Sequence, residues 1–153
     1  MTSPTSADPF RYYRRLTKVR AYVEANLSRQ ITLLECAQVA RNEATHFSRF
    51  FLEKTGTHFS SWLSRQRIAR AVLLFAERNY SVAEVSSMVG YGDVRTFQRA
   101  FKRHLGMTPS DGKRNAALRS PIFVSLVANG VLNESHAESS ERFASALSSK
   151  QEK

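Results

Sequence analysis

The chain reads HFSRFFLEKTG at residues 46–56 and TFQRAFKRHLG at residues 96–106, fifty positions later. The two stretches share two phenylalanines, an arginine and a closing glycine at identical spacing: Phe47, Arg49, Phe51 and Gly56 return as Phe97, Arg99, Phe101 and Gly106. Aromatic residues four positions apart share one face of an α-helix, and glycine often lies just past a helix end. The sequence therefore predicts the same amphipathic helix twice.

A capping box precedes each of these helices. Thr32 with Glu35, and Ser81 with Glu84, have the spacing at which a hydroxyl and a carboxylate bond to backbone N–H groups at a helix start. Apolar or small residues then recur at helical spacing, as Leu33, Cys36, Ala37 and Ala40 and again as Val82, Val85, Ser86 and Val89. A short turn follows, and Asp93 is a favourable cap for the helix after it. Each half is thus predicted to be a helix-turn-helix unit.

Between the two units, residues 58–79 read HFSSWLSRQRIARAVLLFAERN. The AVLLFA portion is apolar almost all round, as expected of a helix buried between partners. A helix of about 20 residues is roughly 30 Å long, which is close to the roughly 34 Å between successive major grooves on one side of B-DNA. We predict an all-α fold in which two helix-turn-helix subdomains are joined by a long linker helix that sets their spacing.

The predicted organisation has five segments. They are a flexible leader at 1–15, the first helix-turn-helix subdomain at 16–57, the linker helix at 58–79, the second subdomain at 80–114 and a C-terminal extension at 115–153. Up to residue 132, the extension either adds a helix against the second subdomain or presents a partner surface. After residue 132 it is rich in serine without an apolar stripe, and we expect it to be largely disordered.

The distribution of charge points to a polyanionic partner. The chain has 153 residues and a formal net charge of +10, and residues 18–119 hold 17 Lys and Arg against 8 Asp and Glu. The excess of cations therefore belongs to the central part of the chain. One cysteine excludes an internal disulfide and a cysteine-based zinc site, and the four histidines lack metal-ligand spacing. We expect no metal and no cofactor.

Membrane insertion and secretion are not predicted. The apolar run at residues 121–132 is too short to span a bilayer, and the first 15 residues lack the apolar core of a signal peptide. A cytoplasmic protein without a membrane partner is expected.

At the residues quoted above, the sequence resembles the DNA-binding domain of the AraC/XylS family of bacterial transcription regulators. The resemblance spans about residues 18–114 and rests on TLLECAQVA, HFSRFF, RQRIARAVLLF and SVAEVSSMVGYGDVRTFQRAFKRHLGMTP. The sequence departs from the family pattern in two places. PSDGKR has Gly112 and Lys113 where the family usually has an aromatic–arginine pair, and the first turn, ARNEA, lacks the usual glycine. With no sensor domain visible, the chain resembles the short stand-alone members, and the DNA-binding fragment of a longer effector-sensing regulator is the alternative.

Recognition helices are predicted at about 43–55 and 94–105. The inward phenylalanines of the second helix leave a polar stripe outward, and arginine pairs bidentately with guanine, as glutamine does with adenine. The contacts expected from this helix are to bases through Arg95, Gln98 and Arg99 and to phosphates through Lys102 and Arg103. The resemblance places Thr45, Ser48 and Arg49 at base-contacting positions of the first helix. Because helix starts attract phosphate, Thr32 and Ser81 are further phosphate candidates.

The second unit is expected to supply more of the affinity for DNA than the first. Residues 81–106 hold four cations and two anions, whereas residues 32–56 hold three of each. His46 and His104 are expected at the surface, and Cys36 is expected in the core.

These observations predict a sequence-specific regulator of transcription that binds double-stranded DNA as a monomer and is associated with the nucleoid when bound. RNA polymerase is a candidate second partner. The alternative is an interaction module that binds RNA polymerase or another regulator, with weak or non-specific contact to DNA. Catalysis is not expected, since the sequence has no nucleophile elbow, metal cluster or glycine-rich phosphate loop.

Overall fold

The computed structural model describes residues 8–115 together with Val124, Val127 and Ala128. Residues 8–115 form eight helices: α1 Pro9–Tyr12, α2 Arg14–Asn26, α3 Leu33–Val39, α4 Ala44–Thr55, α5 Phe59–Glu77, α6 Val82–Met88, α7 Val94–Leu105 and α8 Pro109–Arg114. This described part contains no strand, so the prediction of an all-α fold is confirmed. The helices form two compact units, which divide within α5 between Leu63 and Ser64. The disorder predicted after residue 132 lies outside the described residues, as do residues 1–7 of the predicted leader.

The core of the first unit is largely aromatic. Phe47 and Phe51, one turn apart on α4, are fully buried, and they pack against Phe59 and Trp62 at the start of α5. The ring centroid of Phe51 lies 5.4 Å from those of both Phe59 and Trp62. Aromatic pairs in this range of distances add to the stabilisation from buried area. The predicted inward face of the first amphipathic helix is therefore confirmed.

Part of the predicted flexible leader is instead ordered in the first unit. Residues 9–12 form α1, and α2 already begins at Arg14. Phe10 is buried, and its ring stacks on Trp62 with the centroids 5.1 Å apart. Asp8 accepts a hydrogen bond of 3.0 Å from the Phe10 N–H, which caps α1. The prediction was wrong for residues 8–15 because the three aromatic residues of this otherwise polar stretch lack the helical periodicity that would have indicated the burial of Phe10.

Both predicted capping boxes are present. In α3 the Thr32 N–H donates to a Glu35 carboxylate oxygen at 2.6 Å, and the Glu35 N–H donates to the Thr32 hydroxyl at 3.1 Å. The corresponding distances for Ser81 and Glu84 in α6 are 2.7 and 3.1 Å. The bond from the Thr32 N–H, with help from Arg29, lowers the pKa of Glu35 to about 2. The carboxylate therefore remains charged, and the cap remains closed, at neutral pH.

Cys36 lies on the buried stripe of α3, as predicted. Its side chain is fully buried, and this burial raises the pKa of the thiol to about 11. The thiolate is the reactive form of cysteine. Cys36 is therefore an inert core residue at neutral pH.

The turns that connect the helices of the two units have matching hydrogen bonds. The Asn42 N–H donates to the Ala37 carbonyl at 2.9 Å, and the Tyr91 N–H donates to the Ser86 carbonyl at 3.0 Å. The preceding residue has a left-handed backbone in both turns, with φ of 53° at Arg41 and 87° at Gly90. In the first turn, Arg41 thus adopts the left-handed backbone that a glycine adopts in the second turn.

Phe97 and Phe101 of α7 are fully buried in the core of the second unit, where their ring centroids lie 5.8 Å apart. Val127 is fully buried against the same core, and Val124 and Ala128 pack beside it. These three residues are helical, which agrees with the first of the two expectations for the segment up to residue 132. Beyond α7, the short α8 ends at Arg114.

His104 is buried, so the prediction of a surface position was wrong. Its side chain is only 9% exposed, and its Nε2 lies 2.9 Å from the Ser64 hydroxyl of α5. The same hydroxyl is 3.3 Å from the phenolic oxygen of Tyr91, in the turn before α7. His104 follows Phe101 by three residues and Phe97 by seven, so it continues their inward stripe. Desolvation, together with the nearby charges of Arg103 and Arg65, lowers the pKa of His104 to about 4.

Polar side chains of α5 hydrogen-bond both to the turn between α6 and α7 and to α7 itself. Besides the Ser64 contacts, the buried Arg67 of α5 donates to the Val89 carbonyl at 2.5 Å. Buried polar groups that are hydrogen-bonded fix a specific arrangement, whereas unpaired ones are costly. By contrast, His46 on α4 is exposed, as predicted.

We expect Arg41→Gly to raise the free energy of unfolding by about 1 kcal/mol, because a side chain in the left-handed region carries a steric cost that glycine avoids. Arg41→Ala is the matched control, since alanine keeps that cost, and Gly90→Ala should destabilise by about the same amount. Urea denaturation followed by circular dichroism measures all three. If Arg41→Gly is no more stable than Arg41→Ala, the left-handed backbone at Arg41 is contradicted.

A pH dependence is expected from His104. Its pKa falls from an unfolded value near 6.5 to about 4 in the folded chain, so between these values only the unfolded chain takes up the proton. The free energy of unfolding should therefore be highest above pH 6.5 and fall by up to about 3 kcal/mol as the pH drops to 4. His104→Gln should lose this component of the pH dependence in urea titrations. Parallel curves for the two proteins between pH 4 and 6.5 would contradict the assignment.

Candidate nucleic-acid interface

Helix α7 is fixed at both of its ends. The Asp93 side chain accepts from the Thr96 N–H at 2.8 Å, which caps the start of the helix as predicted and lowers the pKa of the carboxyl. At the other end, Gly106 has φ of 71° and donates its N–H to the Lys102 carbonyl at 2.7 Å. Its inward residues are all buried, and they are Phe97, Ala100, Phe101, His104 and Leu105. The rotation of the helix about its own axis is thereby set.

The outward face of α7 is polar and cationic. The five residues predicted to contact DNA from this helix are all exposed: Arg95, Gln98, Arg99, Lys102 and Arg103. The helix contains four Arg and Lys and no Asp or Glu. Guanidinium and amide groups on such a face have the donors and acceptors that match base edges in a major groove, and the cations match phosphates.

The outward face of α4 is more weakly charged. Thr45 and Arg49 are exposed and Ser48 is half-buried. Lys54 is paired with Glu53 at 3.3 Å, so Arg49 supplies most of the positive charge of this face. Leu52 lies one turn beyond Ser48 and is 38% exposed, which adds an apolar side chain to the same surface. This helix can offer methyl groups, two hydroxyls and one guanidinium to a partner.

The two remaining phosphate candidates lie on other helices. Thr32 and Ser81 are the exposed N-cap residues of α3 and α6. Their hydroxyls and backbone N–H groups already belong to the capping boxes, which also hold the carboxylates of Glu35 and Glu84 at these helix starts. The structure therefore gathers five predicted residues on α7 and three on α4, and it leaves Thr32 and Ser81 with competing acidic neighbours.

Three cations near Ser81 were not singled out from the sequence. Arg78 follows α5, and Lys113 and Arg114 end α8, yet all three line one groove together with Ser81. They come from separate segments without a shared spacing. No sequence signal of the kind that marks α7 was available to find them.

Over residues 8–115 and the three described residues beyond, no cluster of three or more His, Cys, Asp or Glu is placed to hold a metal ion. None of the helices in this same part has the length and apolar character needed to cross a membrane.

Comparison with known proteins gives the family of the chain. A family model described as "Helix-turn-helix domain" matches residues 36–115, just over half of the chain. The HTH-type transcriptional activator CsvR of Escherichia coli is 38% identical over 93 residues, which cover 60% of this chain and 34% of that protein. The HTH-type transcriptional regulator RipA of Corynebacterium glutamicum is 35% identical over 97 residues, covering 63% and 29%. The chain thus spans about a third of the length of these curated relatives.

Solved structures show the same fold. The DNA-binding domain of AdpA, described as a global transcriptional factor and solved in complex with a target DNA, aligns with a TM-score of 0.62 and 28% identity over 75% of this chain and 98% of its own. An AraC-type regulator from Chromobacterium violaceum aligns with a TM-score of 0.63 and 21% identity, covering 71% of this chain and 95% of its own. The chain, with its paired helix-turn-helix units, belongs to the AraC/XylS family of helix-turn-helix transcription regulators.

Proposed function

We propose that this chain is a sequence-specific double-stranded DNA-binding regulator of transcription that places α4 and α7 in successive major grooves. The observation that carries the proposal is the division of α7 into two faces. One face is buried through Phe97 and Phe101, and the other presents Arg95, Gln98 and Arg99 to solvent. A helix held in this way can enter a major groove with its donors and acceptors already aimed at the bases.

The alignment of the cations favours a DNA-binding role over a basic surface that serves only solubility. Arg95, Arg99 and Lys102 follow one another at four- and three-residue spacing, so they form one stripe along an exposed helix face. Such a stripe follows a groove, whereas cations that serve only solubility need no alignment. Arg95, Gln98 and Arg99 are the proposed base contacts, and Lys102 and Arg103 the proposed phosphate contacts.

In the first unit the proposed base contacts are Thr45, Ser48 and Arg49. The Thr45 methyl group and the exposed Leu52 suit contact with thymine methyl groups. Because α4 is less cationic than α7, we propose that the second unit supplies more of the affinity. Thr32 and Ser81 remain weaker phosphate candidates, since their capping carboxylates repel anions.

One chain carries both reading helices, so we propose that it binds DNA as a monomer. The proposed half-sites lie about one helical turn apart, the spacing at which two helix-turn-helix units meet successive major grooves on one side of B-DNA. RNA polymerase, as a second partner, would contact a surface other than the outward faces of α4 and α7. The proposal also includes a cytoplasmic location, association with the nucleoid when bound, and no catalytic activity.

The comparisons support this proposal at the level of the domain. The AdpA domain was solved with its target DNA, and CsvR and RipA carry the names of a transcriptional activator and a transcriptional regulator. The shared region is the one that contains α4 and α7.

Alanine substitution of the two central arginines tests the proposed contacts. We expect Arg99→Ala to weaken binding to a selected operator by about 1–3 kcal/mol and to relax the base preference at one position, because a bidentate contact to a base is lost. Arg49→Ala should cost less, and Arg70→Ala, which removes an exposed arginine of α5, is the control. Electrophoretic mobility shifts on the operator and its single-base variants provide the measurement. A loss at Arg49 equal to or larger than that at Arg99 would overturn the ranking of the two units.

A further inference from the structure

An open groove of about 930 Å³ lies where the end of α5, the start of α6 and α8 meet in the second unit. Its lining includes Phe75, Ser81 and Ser110. Arg78, Lys113 and Arg114 also line it, and none of the described residues in its lining is acidic. A groove lined by three cations and no anion favours an anionic occupant.

The charges of these cations are available to such an occupant. Arg78 is exposed and has no ion pair with any of the residues that the structure describes. Arg114 is paired with Asp111 at 2.7 Å, but its side chain is 77% exposed and can turn toward an anion. Lys113 acts electrostatically on Glu84, whose carboxylate is bonded to the Ser81 N–H at 2.7 Å. The carboxylates of Glu84 and Asp111 offset part of this positive charge, but neither of them is among the residues that line the groove, so its described lining is cationic.

The groove adjoins the start of α6, the first helix of the second helix-turn-helix unit. When the second helix of such a unit enters a major groove, the first helix crosses the neighbouring sugar–phosphate backbone. The cations around Ser81 would then lie beside phosphates, where contacts position the protein but do not distinguish bases.

We infer that this groove is a DNA-backbone site, in which Arg78, Lys113 and Arg114 bind the phosphates that flank the half-site of α7. This inference rests on the proposed function and adds three residues to it. The site anchors the second unit on DNA irrespective of sequence. It therefore extends the footprint of the chain beyond the bases that α7 contacts.

The salt dependence of binding tests the inference. Each phosphate contact contributes about −0.9 to the slope of log K against log salt concentration. For the variant Arg78→Ala/Lys113→Ala/Arg114→Ala, we expect the slope to become less steep by about 2–3, with the order of preference among operator variants unchanged. Arg70→Ala, a single exposed cation outside the groove, should change the slope by less than about 0.5. The charge-conserving variant Arg78→Lys/Lys113→Arg/Arg114→Lys should retain the original slope, and circular dichroism checks that each variant is folded.

A second arm locates the contact on the DNA. Neutral methylphosphonate linkages are placed at the backbone positions that flank the α7 half-site. This change should weaken binding by the original protein. It should have little further effect on binding by the triple alanine variant. Inorganic phosphate at millimolar concentration, added at constant ionic strength, should not restore the binding of the original protein to the methylphosphonate duplex. An unchanged slope in the triple variant, or equal sensitivity of both proteins to the methylphosphonates, overturns the inference while the proposed function stands. Absence of any salt-sensitive duplex binding by the original protein would instead overturn the proposed function.

Discussion

The burial of two phenylalanines, one helical turn apart, determines how each outward-facing helix is presented. Phe47 and Phe51 in α4, and Phe97 and Phe101 in α7, are fully buried. Removing one such side chain typically costs about 3–5 kcal/mol, so rotation of either helix about its axis would forfeit a large part of the stability of a small unit. The opposite face must therefore point outward. Its polar residues are aligned by the hydrophobic core before any partner arrives.

The two units share the same pair of buried phenylalanines, but they differ in the turn residue and in the contacts that hold the core together. In the second unit, Gly90 meets the left-handed requirement of the turn, and the Ser64–His104 contact ties α7 to α5. In the first unit, Arg41 adopts the left-handed backbone, and the aromatic ring of Phe10 completes the core from α1. Together with the stronger charge of α7, these differences underlie our proposal that the second unit supplies more of the affinity for DNA.

The sequence predicted those features that depend on short, repeated spacing. The capping boxes at Thr32 and Ser81 and the bounds of α7 follow local rules and were found from the residues alone. Features made by distant segments were missed. Phe10 is buried because a ring of α5 lies beside it, and the groove gathers Arg78 with residues of α8. His104 shows a third case, since it follows the same stripe as Phe97 and Phe101 but its polar side chain suggested exposure.

The central claim is that one chain contacts two half-sites, and selection from a pool of random duplexes tests it most directly. The purified chain would be equilibrated with the pool at two salt concentrations, and the bound duplexes would be sequenced. We predict enrichment of a bipartite motif whose halves lie about 10 base pairs apart, one turn of B-DNA. Salt-sensitive binding without any enriched motif would contradict the claim, because it would mean that phosphate contact occurs without recognition of bases.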